Sequence, residues 1–269
     1  MVQSKRRWVT EAQKLFDAGG KDDARKLLLD AGFVDQLDAE AQSAFRALIP
    51  MPSAVKRALA GLLAPLSDPQ PEARRDAIKA VAKEVSRAWH KDVAAWASDP
   101  RALDPILPLA TSSDPKTTQF AASAMVRIFE RYLADRRIPV ALMPALRARS
   151  PEARAFAATG VLLGGEVEHW SGVTPLLHDG SALVRAAALR AVTRWGRARL
   201  PSSLRDELRP LVEARFDDAD PGVQEAAFIA ARAVGDLHTA QLLTAKRPSI
   251  HAPVLLEPLD LAIATISRA

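Results

Sequence analysis

The chain has 269 residues, 48% of them hydrophobic and 26% charged, enough apolar material to bury a core and excluding an intrinsically disordered chain. It holds no cysteine, which excludes disulfides, thiolate metal sites and cysteine nucleophiles; no run approaches the roughly 20 apolar residues of a spanning helix, and with no signal-peptide core after its basic start a cytoplasmic, non-membrane protein is expected. The formal net charge of +5 is spread along the chain, residues 1–60 holding 10 Lys and Arg against 8 Asp and Glu, so no basic or acidic tail is present.

The first elements in chain order are two short amphipathic helices between Ala12 and Leu29, hinged at Gly19 and Gly20, with a third expected over Ala39–Leu48. The hairpin loosely resembles a tetratricopeptide unit. A single such hairpin implies an end cover, because a helical stack must hide its first core face from water, and residues 1–50 are expected to form that cap.

From there a helix-opening phrase returns five times, beginning at Asp68, Asp114, Ser150, Asp179 and Asp220. An Asp or Ser before Pro can cap exposed backbone N–H groups, while proline's fixed φ suits the first helical position. The residues after the turn form a first column, Ala73, Thr118, Ala153, Val184 and Val223, followed four positions later by Ala77, Ala122, Ala157, Ala188 and Ala227. The same face continues with Ala80, Met125, Gly160, Ala191 and Ala230, then Val81, Val126, Val161, Val192 and Ala231. Spacing of i, i+4, i+7, i+8 marks an amphipathic helix, and small residues in its stripe let a neighbouring helix approach closely. Upstream helices are expected over Ala54–Leu66, Leu103–Leu109, Pro139–Leu146, Val173–Leu177 and Leu204–Phe216, with a break at Gly164 and Gly165 and a closing helix over Pro253–Ser267.

Helix, tight turn, helix opened by Asp-Pro-x-x-Val-Arg-x-x-Ala resembles the HEAT repeat over Ala54 to Val234. The resemblance implies an all-α fold, a right-handed α-solenoid of antiparallel helix pairs, with about five repeats over residues 51–250 and a capping helix over residues 251–269. Departures are Thr118 in place of valine, and Gln119 and Gln224 in place of arginine. The resemblance also implies that Arg74, Gln119, Arg154, Arg185 and Gln224 form a structural ladder along the stack, bonded to turn carboxylates and carbonyls.

Candidate chemistry is sparse. His90, His169, His178, His238 and His251 show no metal-ligand spacing, and no phosphate loop, dinucleotide fingerprint or serine elbow occurs, so neither metal, cofactor nor enzyme activity is expected. Arg75, Lys79 and Lys83 lie at i, i+4, i+8 away from the alanine face, echoed by Arg190, Arg194 and Arg197, with Arg127 between them. Second helices of HEAT arrays line the concave surface, so these cations form either a basic inner groove or a solvated face. Trp89 and Trp170 are candidate aromatic anchors. The expected function is a non-catalytic module, scaffold or inhibitor/immunity-type, gripping a protein on its concave face. The alternative is nucleic-acid binding in the basic groove, with Trp89 and Asp92 superficially similar to the tryptophans and acid of HEAT-like alkylpurine DNA glycosylases.

Overall fold

The computed structural model describes residues 2–30, 46, 49–87 and 91–268. Apart from Arg46, the helix expected over Ala39–Leu48 lies outside the described residues, as do Trp89 and His90. Among the described residues every regular element is helical, and no helix is long and apolar enough to cross a membrane. Contacts divide the chain into two compact units, Met1–Leu142 and Met143–Ala269.

The first unit contains α1 (Val2–Asp17) and α2 (Lys21–Asp30), packed as a hairpin, then α3 (Ser53–Ala60), α4 (Pro71–Ser86), α5 (Lys91–Ala97), α6 (Pro115–Arg131) and α7 (Arg137–Leu142). The second contains α8 (Pro151–Gly160), α9 (Trp170–Val173), α10 (Ala182–Arg199), α11 (Ser202–Glu213), α12 (Pro221–Val234), α13 (Leu237–Lys246) and α14 (Pro253–Ile266). The long helices opened by the repeated phrase stack side by side, α4 on α6 in the first unit and α8, α10 and α12 in succession in the second, where the closing helix α14 packs on α12.

In the first four pairs the first member is broken into shorter pieces than the sequence suggests, whereas α11 in the fifth is continuous. The helix expected over Ala54–Leu66 stops at Ala60 and resumes as a 3-10 turn at Ala64–Ser67, while Leu103–Leu109 is covered by 3-10 turns at Pro100–Leu103 and Leu107–Thr111. Prolines explain the interruptions, since Pro65, Pro100, Pro108, Pro144 and Pro175 each sit in the first positions of a 3-10 helix, where the missing N–H costs nothing. Two glycines with positive φ shape the second unit. Gly165, at φ 82°, follows α8 at the expected break, and Gly196, at φ 65° and ψ 168°, kinks α10 one residue after Trp195.

The caps fix the register. Asp114 accepts from the backbone N–H groups of Lys116 and Thr117, Ser150 from Ala153, and Asp220 from Gly222 and Val223. Superposing these caps places Thr117 with Ala153 and Val223, and Ala121 in the alanine column, one residue earlier than the sequence alignment had it. The reason is the width of the buried face on α6. Thr117, Thr118, Ala121, Ala122, Ala124, Met125 and Val126 are all buried, so periodicity supports two neighbouring registers equally well. On α4 the expected stripe holds only in part: Val81 is buried but Ala80 is exposed, and the helix also buries Ile78, Ala82 and Val85.

In the second unit Ala157, Ala188 and Ala227 are 0% exposed at equivalent positions. A buried methyl contributes only about 0.8 kcal/mol by transfer, so the column's main effect is close helix approach. The tightest approach is at Gly235, after α12, where a Cβ would lie 2.6 Å from the Ala231 carbonyl and 2.7 Å from Ile266 Cδ1 on α14. Gly235→Ala is therefore expected to destabilise the protein by about 1–3 kcal/mol in urea unfolding, by overpacking. Gly180→Ala, where nothing lies within 4 Å, should change stability by less than about 0.5 kcal/mol.

Candidate protein-interaction surface

One hydrogen bond recurs beneath the surface. The residue four positions after each N-cap reaches back to the carbonyl six residues upstream, in the turn that precedes its own helix. Arg74 donates to the Asp68 carbonyl at 2.6 Å, Thr118 Oγ1 to Ser112 at 3.0 Å, Arg154 to Ala148 at 2.8 Å, Arg185 to Asp179 at 2.8 Å, and Gln224 to Asp218 at 2.7 Å. Gln119 is not part of this series. The cap register gives its place to Thr118, and Gln119 instead accepts from Lys116 Nζ at 3.0 Å on the exposed side of α6.

In the second unit two of these arginines also bridge to the next turn. Arg154 forks onto both oxygens of Asp179, at 2.7 and 2.8 Å, and Arg185 onto both oxygens of Asp218, at 2.8 and 2.7 Å. Each aspartate accepts a backbone N–H of its own turn as well, from Ser181 and Asp220 respectively. Asp179 and Asp218 therefore brace a turn and receive the preceding unit, while the capping position itself belongs to Ser181 and Asp220. Bidentate arginine–carboxylate pairs of this kind fix geometry as well as contributing energy.

The first unit uses a second device that the sequence reading did not find. Arg101 forks onto Asp99 and donates to the Ile49 carbonyl at 2.8 Å, while Arg137 forks onto Asp135 and donates to the Pro100 carbonyl at 2.8 Å and to Asp104 at 3.0 Å. Asp99 and Asp135 are 1% and 0% exposed. Burial opposes the Arg137 charge, but its bonds to Asp135 and Asp104 prevail and hold the guanidinium protonated. The signal was present as Asp-Pro-Arg at residues 99–101 and Asp-Arg-Arg at residues 135–137, each at a helix start after an irregular segment. A two-fold recurrence of a short charged motif is easily taken for ordinary surface charge.

The predicted partner-binding residues separate into groups. Lys79, Lys83, Arg190 and Arg194 are exposed on α4 and α10, and Arg75 is half-buried, where its charge helps hold Asp114 below the usual carboxylate range behind the larger effect of the Thr117 hydroxyl. Arg127 is partly covered and paired with Glu130 at 3.0 Å. Arg197 leaves the stripe: the kink at Gly196 breaks the i, i+4, i+7 register, and its guanidinium donates to the Gly235 carbonyl at 2.8 Å. Trp170 is no surface anchor, because it is 2% exposed and meets Trp195 edge-on, with ring centroids 5.6 Å apart. Trp195 is core too, its indole N–H donating to the Leu162 carbonyl. Trp89 lies outside the described residues, and Asp92 opens the short helix α5 on its exposed side.

No protein-family model matches the chain, and no curated protein does. Solved structures do. An engineered protein aligns at 17% identity and a TM-score of 0.62, covering 81% of this chain and 98% of its own. A designed armadillo repeat protein aligns at 16% identity and a TM-score of 0.59, covering 77% and 99%. A computationally designed armadillo repeat protein for modular peptide recognition aligns at 17% identity and a TM-score of 0.59, covering 77% and 99%. At such identities the likeness concerns the fold, which is a HEAT/armadillo-like helical-repeat solenoid.

The frame predicts a pH response. The Arg154 and Arg185 hydrogen bonds hold Asp179 and Asp218 below their ordinary value of 3.8. A lowered folded pKa gives stabilisation that is present above the unfolded value and is lost as pH falls through the folded one. Stability measured by urea unfolding should therefore decline below pH 4, and Asp179→Asn/Asp218→Asn should flatten part of that decline while lowering stability at pH 7. Arg185→Ala leaves Asp218, with its side chain 3% exposed, without its fork, and should cost about 3 kcal/mol.

Proposed function

We propose that the chain is a non-catalytic, cytoplasmic binding module, of scaffold or inhibitor type, that grips a protein partner through exposed faces of its second helices. The observation that carries this reading is a division of labour among charged side chains. Arg74, Arg154 and Arg185 are tied into turns, whereas Lys79, Lys83, Arg190 and Arg194 stand on exposed turns of the same helices. The turn bonds use the first set, while Lys79, Lys83 and Arg190 face solvent. Helical-repeat arrays can vary outward positions without disturbing the repeated core, which suits a binding role. The resemblance to a designed armadillo protein for modular peptide recognition supports the same reading through its fold.

The test is affinity capture from the native host followed by cross-linking. One stoichiometric partner is expected, with cross-links falling on the exposed turns of α4, α6, α10 or α12. Lys79→Glu/Lys83→Glu or Arg190→Glu should abolish its recovery while leaving the thermal midpoint unchanged. Recovery of the partner by both charge-reversed proteins at the wild-type level would remove the proposed face.

A further inference from the structure

Resting on that reading, we infer that the second unit takes an extended protein segment of alternating basic and apolar residues, laid across α10, α12 and α14. These helices pack in succession and open at Ser181, Asp220 and Ala252, so residues equally far from their N-caps form rows across the three. Positions three and seven residues in are the buried contacts: Val184, Val223 and Leu255, then Ala188, Ala227 and Leu259. Positions two, five and nine residues in lie together on another face, since i, i+3 and i+7 share one side of a helix. Its first row is Leu183, Gly222 and Val254, its second Ala186, Glu225 and Glu257, and its third Arg190, Ile229 and Leu261.

The face is apolar where a solvated surface would be polar. Leu183, Val254 and Leu261 are 46%, 63% and 48% exposed, and Ile229 is partly open beside Leu261, a cluster of the kind that marks an interaction site. The charges on the same face select the occupant. Glu225 and Glu257 stand at equivalent positions of neighbouring helices, and among the described residues neither carboxylate has a hydrogen bond or ion pair. They lie one helical turn, about 6 Å along the axis, from Ile229 and Leu261, so the face suits cations next to apolar groups. An extended chain supplies that pattern because successive side chains point to opposite sides. Its Lys or Arg side chains turn toward the glutamate row and its apolar ones toward Ile229 and Leu261, with a carboxylate beyond them for the exposed Arg190. Helices spaced by about 8–10 Å are each crossed by two to three residues of such a chain, at about 3.3 Å per residue. Between the rows Ala186, Ala187 and Ala226 are buried, which leaves a low floor for the backbone. A nucleic acid on the same path would set its phosphates against both glutamates.

The test uses the full chain and a fluorescein-labelled peptide in which Lys-Leu-Lys-Leu-Ser-Glu is flanked by Gly and Ser, read by fluorescence anisotropy at low salt. Saturable binding is expected, weakened at least about tenfold by Glu225→Lys/Glu257→Lys and to a similar degree by Val254→Ser/Leu261→Ser, a change of about 1.4 kcal/mol. Both pairs change side chains that are open to solvent, so the thermal midpoint should stay near that of the wild type. A peptide with Glu in place of both Lys should bind more weakly by the same factor, and Lys79→Glu/Lys83→Glu, in the other unit, should leave binding unchanged. Absence of saturable binding, wild-type affinity in either pair of variants, or equal binding of the Glu-for-Lys peptide would each overturn the assignment. The capture experiment separates the two levels. A partner lost with Lys79→Glu/Lys83→Glu but kept by Glu225→Lys/Glu257→Lys preserves the binding reading and removes this site, whereas peptide binding without any captured partner keeps the site and removes the larger reading.

Discussion

The interaction on which the stack depends is the reach of a side chain in the first turn of each second helix to the carbonyl six residues upstream. That bond closes the tight turn on its own helix and satisfies a carbonyl that the sharp bend leaves without a helical partner. In the second unit the same arginine extends to the following turn through Asp179 or Asp218, so one guanidinium sets both the entry angle of its own helix and the spacing of the next. Removal of either partner leaves a nearly buried charge behind, which makes the fork a strong determinant of register even where its net contribution to stability is modest. The close alanine packing follows from that spacing. Helices held at a fixed separation need small residues at the contact, and Ala157, Ala188 and Ala227 supply them.

The two units meet this requirement differently. Arg154 and Arg185 lie on the long helices of the second unit, whereas Arg101 and Arg137 start the short segments of the first and bind distant upstream carbonyls, those of Ile49 and Pro100. At the first unit's turns, Arg74 and Thr118 make the local bond only to carbonyls in the turns. The stacking force has moved from one loop to another while the fold class has stayed the same. Degenerate repeats permit this because each pair contacts its neighbours alone, so the device that links one pair to the next need not match the device elsewhere.

Much of the fold was legible because it rests on signals of short range: a cap, a proline at the first helical position and an apolar stripe of period 3.6. Arg154, Arg185 and Gln224 each follow a readable turn, and each bonds a carbonyl of that turn. The register of α6 was not legible from periodicity, because that helix is buried around a broad arc and Thr117 and Thr118 are both covered. Arg197 followed the expected spacing until Gly196 adopted a positive φ, a choice that sequence permits at any glycine and dictates at few. Trp170 illustrates a further limit. Its exposure depends on where Trp195 sits, and that contact joins residues far apart in sequence. Exposure was therefore legible where a residue lay on a regular helix, as at Lys79, Lys83, Arg190 and Arg194, and illegible where tertiary contacts redirected a side chain.

The central claim is that paired arginines and aspartates couple consecutive helix pairs, independently of the exposed Arg190. A double-mutant cycle on Arg154 and Asp179, built from Arg154→Met, Asp179→Asn and the double variant, with Arg154→Met/Arg190→Met as the control cycle, tests it most directly by urea unfolding at pH 7. The structure predicts a coupling of about 2 kcal/mol between Arg154 and Asp179 and additivity within about 0.5 kcal/mol in the control. Additive effects of Arg154→Met and Asp179→Asn would contradict the account, because the fork would then be a contact that the stack does not use.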